Sequence, residues 1–142
     1  MSLSNIFDVA GSGMAAQSLR LNTVASNLAN AESVASTPDA AYRAKEPLFA
    51  AVQRSLTDLS GQTHDAVASV QVKGIAESDA ANPSRYEPGN PMADASGYVY
   101  ASNVNPVDEL VNMISASRSY QNNVEVLNTA KQLMLKTLDL GK

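Results

Sequence analysis

The chain contains no cysteine and no tryptophan. Disulfides, thiolate chemistry and cysteine-ligated metals are therefore excluded. Aromatic residues make up only 5% of the 142 residues, although 44% are hydrophobic. A core with so few bulky side chains is thin, or is completed by another chain. Positive charge is also scarce: ten Lys and Arg stand against fourteen Asp and Glu, a net of −4. Phosphate backbones and anionic bilayers are both held by basic patches, so nucleic acid and an anionic membrane surface are poor partners. Long apolar runs are missing. The longest is residues 48–52, whereas crossing a bilayer takes roughly 20 residues. The opening "MSLSNIFDVAGSG" has neither a basic segment nor a continuous apolar stretch, so no cleavable signal is expected there.

Catalytic patterns are missing as well. His64 is the only histidine and sits in a polar stretch, where solvation is its expected state. Asp58, Asp65, Glu77, Asp79, Glu87 and Asp94 are scattered without the spacing of a calcium loop. No glycine-rich phosphate loop or nucleophile motif occurs. The expectation is a protein that is not an enzyme and has no catalytic residue, metal site or cofactor.

What is present is helical periodicity at both ends. Over residues 3–31, Phe7, Met14, Leu21 and Leu28 fall seven apart, with Leu3, Ala10, Gln17, Val24 and Ala31 as a companion series. Gly11 and Gly13 weaken this helix by roughly 1 kcal/mol each and predict a bend or fray. A second helix is expected over 105–140. Asn105 suits the N-cap, Pro106 the first helical position, and Asp108 and Glu109 the positive end of the helix dipole. Lys136 in the last turns and Gly141 beyond mark its end. Its apolar seam is read as Leu110, Met113, Ser117, Tyr120, Val124, Leu127, Lys131, Met134 and Leu138, widened by Ile114 and Leu135.

The middle differs. Five of the six prolines lie between 36 and 104. "VASVQVKGI" (67–75) and "GYVYAS" (97–102) read as strands, and 78–97 as loop. In 42–52, Glu46 precedes a proline and should be extended, while Phe49, Val52, Leu56 and Leu59 are spaced for a short helix. The organisation predicted is an N-terminal helix (1–35), a β-rich, loop-rich middle (36–104) and a C-terminal helix (105–142). The fold class is mainly α with a small β-rich insertion.

The helices' outer faces are the informative feature. Between Asp8 and Glu32 the only charge is Arg20; between Glu109 and Lys131 only Arg118 and Glu125 are charged. Ser, Asn, Gln, Thr and Ala fill the rest. Pairing the two helices covers one stripe on each, with roughly 1.5–3 kcal/mol per fully buried seam side chain. The candidates for this intramolecular seam are Phe7, Met14, Leu21, Val24, Leu28, Leu110, Met113, Ile114, Tyr120, Val124, Leu127, Met134 and Leu138. The remaining faces, too bland for open water and too polar for an oily core, suit contact with further helices from other subunits. Asn22, Asn27, Asn30, Arg118, Asn122 and Asn123 are the candidate inter-subunit contacts.

These stretches resemble a known family. "LNTVASNLANAES" is similar to a motif shared by bacterial flagellar axial proteins of the rod, hook and hook-associated kinds. "NVNPVDELVNMISASRSYQNNVEVLNTAKQLMLKTLDLGK", "YRAKEPLF" and "YEPGNPMADASGYV" resemble more specifically the basal-body rod proteins of the proximal rod. The resemblance implies terminal helices paired as a coiled coil and subunits stacked helically into a tube, the drive shaft that crosses the periplasm. It implies export without a cleaved signal. Implied partners are copies of the chain itself, other proximal and distal rod proteins, rod-base adaptor and MS-ring proteins, and the export apparatus. The family's turn after the first helix commonly carries glycine, but here reads "TPDAAY", and 53–68 is longer than the family pattern leads one to expect. Rival readings are another rod or hook subunit, or a helical export chaperone or adaptor.

Overall fold

The computed structural model describes residues 3–54 and 67–141. The elements run α1 (Leu3–Ala29), β1 (Val34–Ala35), β2 (Lys45–Arg54), β3 (Val67–Glu77), β4 (Ser84–Tyr86), β5 (Tyr98–Ala101) and α2 (Pro106–Leu140). The chain is mostly helical, with a small antiparallel sheet region between the two long helices. His64, Asp58, Asp65, Leu56 and Leu59 lie outside the described residues, as does most of 53–68.

Both helices begin or end on asparagine. Asn105 caps α2: its Oδ1 accepts the Val107 N–H at 3.1 Å, and its Nδ2 donates to Asp108 Oδ2 at 2.8 Å. Pro106 follows at the position where a missing N–H costs nothing. At the far end of α1, Asn30 Nδ2 donates to the Ser26 carbonyl at 2.8 Å, a second bond on an acceptor that also takes the Asn30 backbone N–H at 3.2 Å. Neither Gly11 nor Gly13 interrupts α1, which is unbroken from Leu3 to Ala29. Gly13 has a different use. A Cβ there would lie 2.9 Å from Asn123 Nδ2, so glycine is what lets this side chain of α2 approach the helix backbone.

The chain forms two compact units. The first comprises Met1–Leu19, Leu48–Gly74 and Ser115–Lys142. Its buried side chains are small: Ala10, Ala16, Ala116 and Ala130. The second comprises Arg20–Pro47 and Ile75–Ile114. It holds a three-stranded sheet of order β1-β5-β4, both pairings antiparallel. Val99, on the central strand, is fully buried, with Val24, Ala35, Ala41 and Val104 also inside. Tyr86 and Tyr98 are cross-strand partners whose rings meet edge to face at 5.2 Å.

The remaining strands, β2 and β3, pair with each other. The Ser78 N–H bonds the Ala44 carbonyl and Ser69 Oγ the Val52 carbonyl, so the two run antiparallel. Of the two readings open for 42–52, the extended one holds, and the short helix spaced through Phe49 and Val52 does not form. The extended start imposed by Pro47 continues as a strand because β3 supplies a pairing partner, and local spacing could not show that partner. Two short strands were not expected: β4 falls within 78–97, read as loop, and β1 falls at the end of the stretch assigned to the N-terminal helix (1–35), because α1 stops at Ala29. Among the described residues no non-glycine has positive φ, so "TPDAAY" turns without glycine: the Ala40 N–H reaches both the Thr37 carbonyl and Thr37 Oγ1.

Gly97 is irreplaceable in its turn. Its φ is +83°, and a Cβ would sit 2.8 Å from the Tyr86 ring. Gly97→Ala is expected to destabilise the chain by about 1–3 kcal/mol, read as a lowered urea midpoint by tyrosine fluorescence, while Gly89→Ala, in open space, leaves the midpoint nearly unchanged.

Candidate functional site

Asparagine amides hold residues 42–45 in place. Asn27, 1% exposed on α1, donates from Nδ2 to the Lys45 carbonyl at 2.9 Å and accepts the Lys45 N–H on Oδ1, also at 2.9 Å. The amide thus copies the two-bond pairing of a neighbouring strand. Tyr42 OH adds a third bond to Asn27 Oδ1 at 3.1 Å and lies the same distance from Ser26 Oγ. Asn82 donates to the carbonyls of Tyr42 and Ala101, and Asn103 accepts the Ala44 N–H while donating to the Ala80 carbonyl. A segment with few large apolar side chains is anchored by amides in place of hydrophobic packing.

The helix faces divide differently from the expectation. On α2 the series Met113, Tyr120 and Leu127 is half-buried, in the places read from sequence. Its companion series stands one residue earlier. Glu109, Ala116 and Ala130 are buried and Asn123 is half-buried, whereas Leu110 is 50% exposed and Lys131 is also exposed. Ser117 and Val124 are half-buried. The line follows small side chains that allow close approach, where a reading weighted by hydrophobicity chose the leucine. In α1, Val24 is buried and Phe7, Met14, Leu21 and Leu28 are half-buried. Ile114, Met134 and Leu138 stand exposed on the chain by itself, so no intramolecular seam holds them here.

The candidate inter-subunit residues also separate. Asn27 is spent inside the chain, and Asn30 caps α1. Asn123 is half-buried against Gly13. Asn22, Arg118 and Asn122 are exposed. Arg20, the one charge between Asp8 and Glu32, donates to Asn112 Oδ1 at 3.1 Å.

Open apolar surface is concentrated on α2. Val126 and Leu133 line a groove of about 420 Å³ with Ile6, Thr129 and Ala130. Beyond it Leu133, Met134, Leu135, Leu138 and Leu140 are all exposed. At 3.6 residues per turn these five spread over roughly 220° of the helix circumference. Gln132, Lys136 and Asp139 mark a polar strip opposite, and Thr137, which lies within the apolar sector, turns its hydroxyl onto the Leu133 carbonyl. Among the described residues no helix is long and apolar enough to cross a membrane.

The comparisons give this surface its setting. Residues 7–34 match the family described as flagella basal body rod protein, and 95–140 match the C-terminal region of the flagellar basal body rod FlgEFG proteins. The flagellar basal-body rod protein FlgC of Salmonella typhimurium (strain LT2) is 53% identical over 142 residues, covering the whole of both chains. That of Yersinia enterocolitica is 51% identical and that of Buchnera aphidicola (subspecies Baizongia pistaciae) 36%, again over full lengths. The chain belongs to the FlgC family of flagellar basal-body rod proteins. It is a structural subunit of that rod, located in the flagellar basal body. As a FlgC family member it assembles with other basal-body rod components.

The amide anchor generates a stability prediction. Asn27→Ala leaves the Lys45 N–H and carbonyl without their partner, at an expected cost of about 1–3 kcal/mol. Asn27→Asp should fare no better, because a carboxylate cannot donate to the Lys45 carbonyl. Asn22→Ala, on the exposed face, should change stability by less than about 0.5 kcal/mol. Urea unfolding of the three variants side by side checks the ranking.

Proposed function

We propose that the chain is a proximal rod subunit whose two terminal helices pair as a coiled coil and stack helically with other copies into a torque-bearing shaft. The observation that carries this reading is the apolar sector at the end of α2. A neighbouring helix covers a stripe about 100° wide, so roughly 220° of apolar surface requires at least two neighbours. A solitary helix would keep that surface narrow and its opposite face charged. The uncharged, small and amide-rich faces of α1 and α2 support the same arrangement, since such side chains permit close packing with register-fixing hydrogen bonds.

In this reading the partners are further copies of the chain, the other proximal and distal rod proteins, and the adaptor and MS-ring proteins at the rod base. The shaft crosses the periplasm, and the subunit reaches it through the flagellar export apparatus. An export chaperone or adaptor is the weaker alternative, because it gives no use to a helix end that is apolar over more than half its circumference.

Leu138 is 63% exposed, so Leu138→Asp should leave the isolated chain's urea midpoint unchanged within about 0.5 kcal/mol. The same substitution should abolish swimming and rod assembly while leaving export of the subunit intact. Normal motility with Asp at this position would remove the assembly role of the α2 end.

A further inference from the structure

The contact between Arg20 and Asn112 has a charged neighbour. Arg20 is the single basic residue of α1 and is half-buried. Its Nη2 donates to Asn112 Oδ1 on α2, and both residues lie in the second compact unit. Three positions before Asn112, and so on the same face of the helix, stands Glu109. It is 9% exposed, and its Oε2 has no hydrogen-bond partner among the described residues. An ionised side chain buried to this degree is stable only with a counter-charge close by. Along α1 that charge comes from Arg20 alone. The apolar burial of Val24 on α1 and of Met113 on α2 is non-directional, so it does not single out one axial position of the helices.

We propose that Arg20 is the positioning residue that fixes the axial register of α1 against α2, with Asn112 and the buried Glu109 carboxylate as its partners. The inference rests on the reading that the two terminal helices pair. One turn of slip, about 5.4 Å, carries the guanidinium off the Asn112 oxygen in either direction. A slip toward Ser115 and Ala116 also withdraws it from Glu109, whose charge then stays buried without compensation. A slip toward Glu109 leaves the Asn112 oxygen without its donor. Polar groups at a helix contact specify register in this way, at some cost in stability. An apolar set in their place is often as stable or more so, but it accepts several registers. Register matters to a rod because every copy must present its outer faces at the same height. Subunits with mixed registers have no single repeat to stack.

The chain has no cysteine of its own, so spin labels go only where a cysteine is introduced. Asn22 on α1 and Val107 on α2 are both exposed. Labels on Asn22→Cys and Val107→Cys report the axial relation of the helices, read as a distance by double electron–electron resonance on the full chain. With Arg20 in place, and with Arg20→Lys, each sample should give one narrow distance. Arg20→Met should lower the urea midpoint, because Glu109 loses its counter-charge. Adding Glu109→Met should restore the midpoint. The distance distribution should nevertheless stay about twofold broader, or split into components separated on the order of one helical turn. Arg20→Met with Glu109→Gln is a milder second variant for the same broadening. One narrow distance in both doubly substituted chains would overturn the proposal, because apolar contacts alone would then set the register while the paired-helix reading stands. A broad distribution with Arg20 still in place would overturn the paired-helix reading, and the proposal with it.

Discussion

The bond pair between Asn27 and the backbone of Lys45 is the constraint on which the folded middle depends. β2 begins at the residue that this amide grips, and Tyr42, three residues earlier, is tied to the same oxygen. A buried amide stabilises only when its partners are satisfied, and here one Nδ2 N–H and both Oδ1 acceptor positions have protein partners. Asn82 and Asn103 repeat the device on Tyr42, Ala44, Ala80 and Ala101. Hydrogen bonds have direction, whereas apolar burial does not. A segment anchored this way keeps a defined path with very little core, which is the condition that a chain with 5% aromatic residues must meet.

The regular parts of this fold were legible because their signals are local. Asn105, Pro106 and Asp108 mark the start of α2 within one turn, and the observed caps use those residues. The strands at 67–77 and 98–101 follow from β-branched and aromatic residues between turn formers. The illegible parts depend on partners distant in sequence. Asn27 reads as a surface residue until Lys45, eighteen positions on, is known to be its partner. Phe49 and Val52 fit a helical spacing until β3 is placed beside them. Gly13 reads as a weak point until Asn123 is seen against it. The buried line of α2 is a related case. Hydrophobicity favours Leu110 over Glu109, whereas the buried line of Ala116, Asn123 and Ala130 continues to Glu109.

The same side-chain types therefore do two jobs. Inside the chain, alanine and glycine allow close approach, and asparagine fixes the path of a loop. On the outer faces of the helices they keep the surface free of charge, which water does not require. The large apolar residues follow the opposite division. Leu110, Ile114, Leu133, Leu135 and Leu138 are exposed while the buried set is dominated by alanine and valine. For a protein that ended its folding as a monomer this distribution would be inverted, because exposed leucine contributes nothing and buried alanine contributes little.

A rod subunit reverses that logic. On the proposed rod reading, part of its core is deferred to the assembly, where neighbours bury the leucines of α2. The free chain then keeps only the structure that its small residues and amides can hold. This division also gives assembly its driving force. Each exposed leucine at the α2 end has up to about 1.5–3 kcal/mol of transfer free energy still to be gained on full burial. A few such residues outweigh any single hydrogen bond within the chain, whose net contribution is about 1 kcal/mol. The stability of the rod is thus located between subunits, and the amide anchors only have to hold the middle in shape until those contacts form.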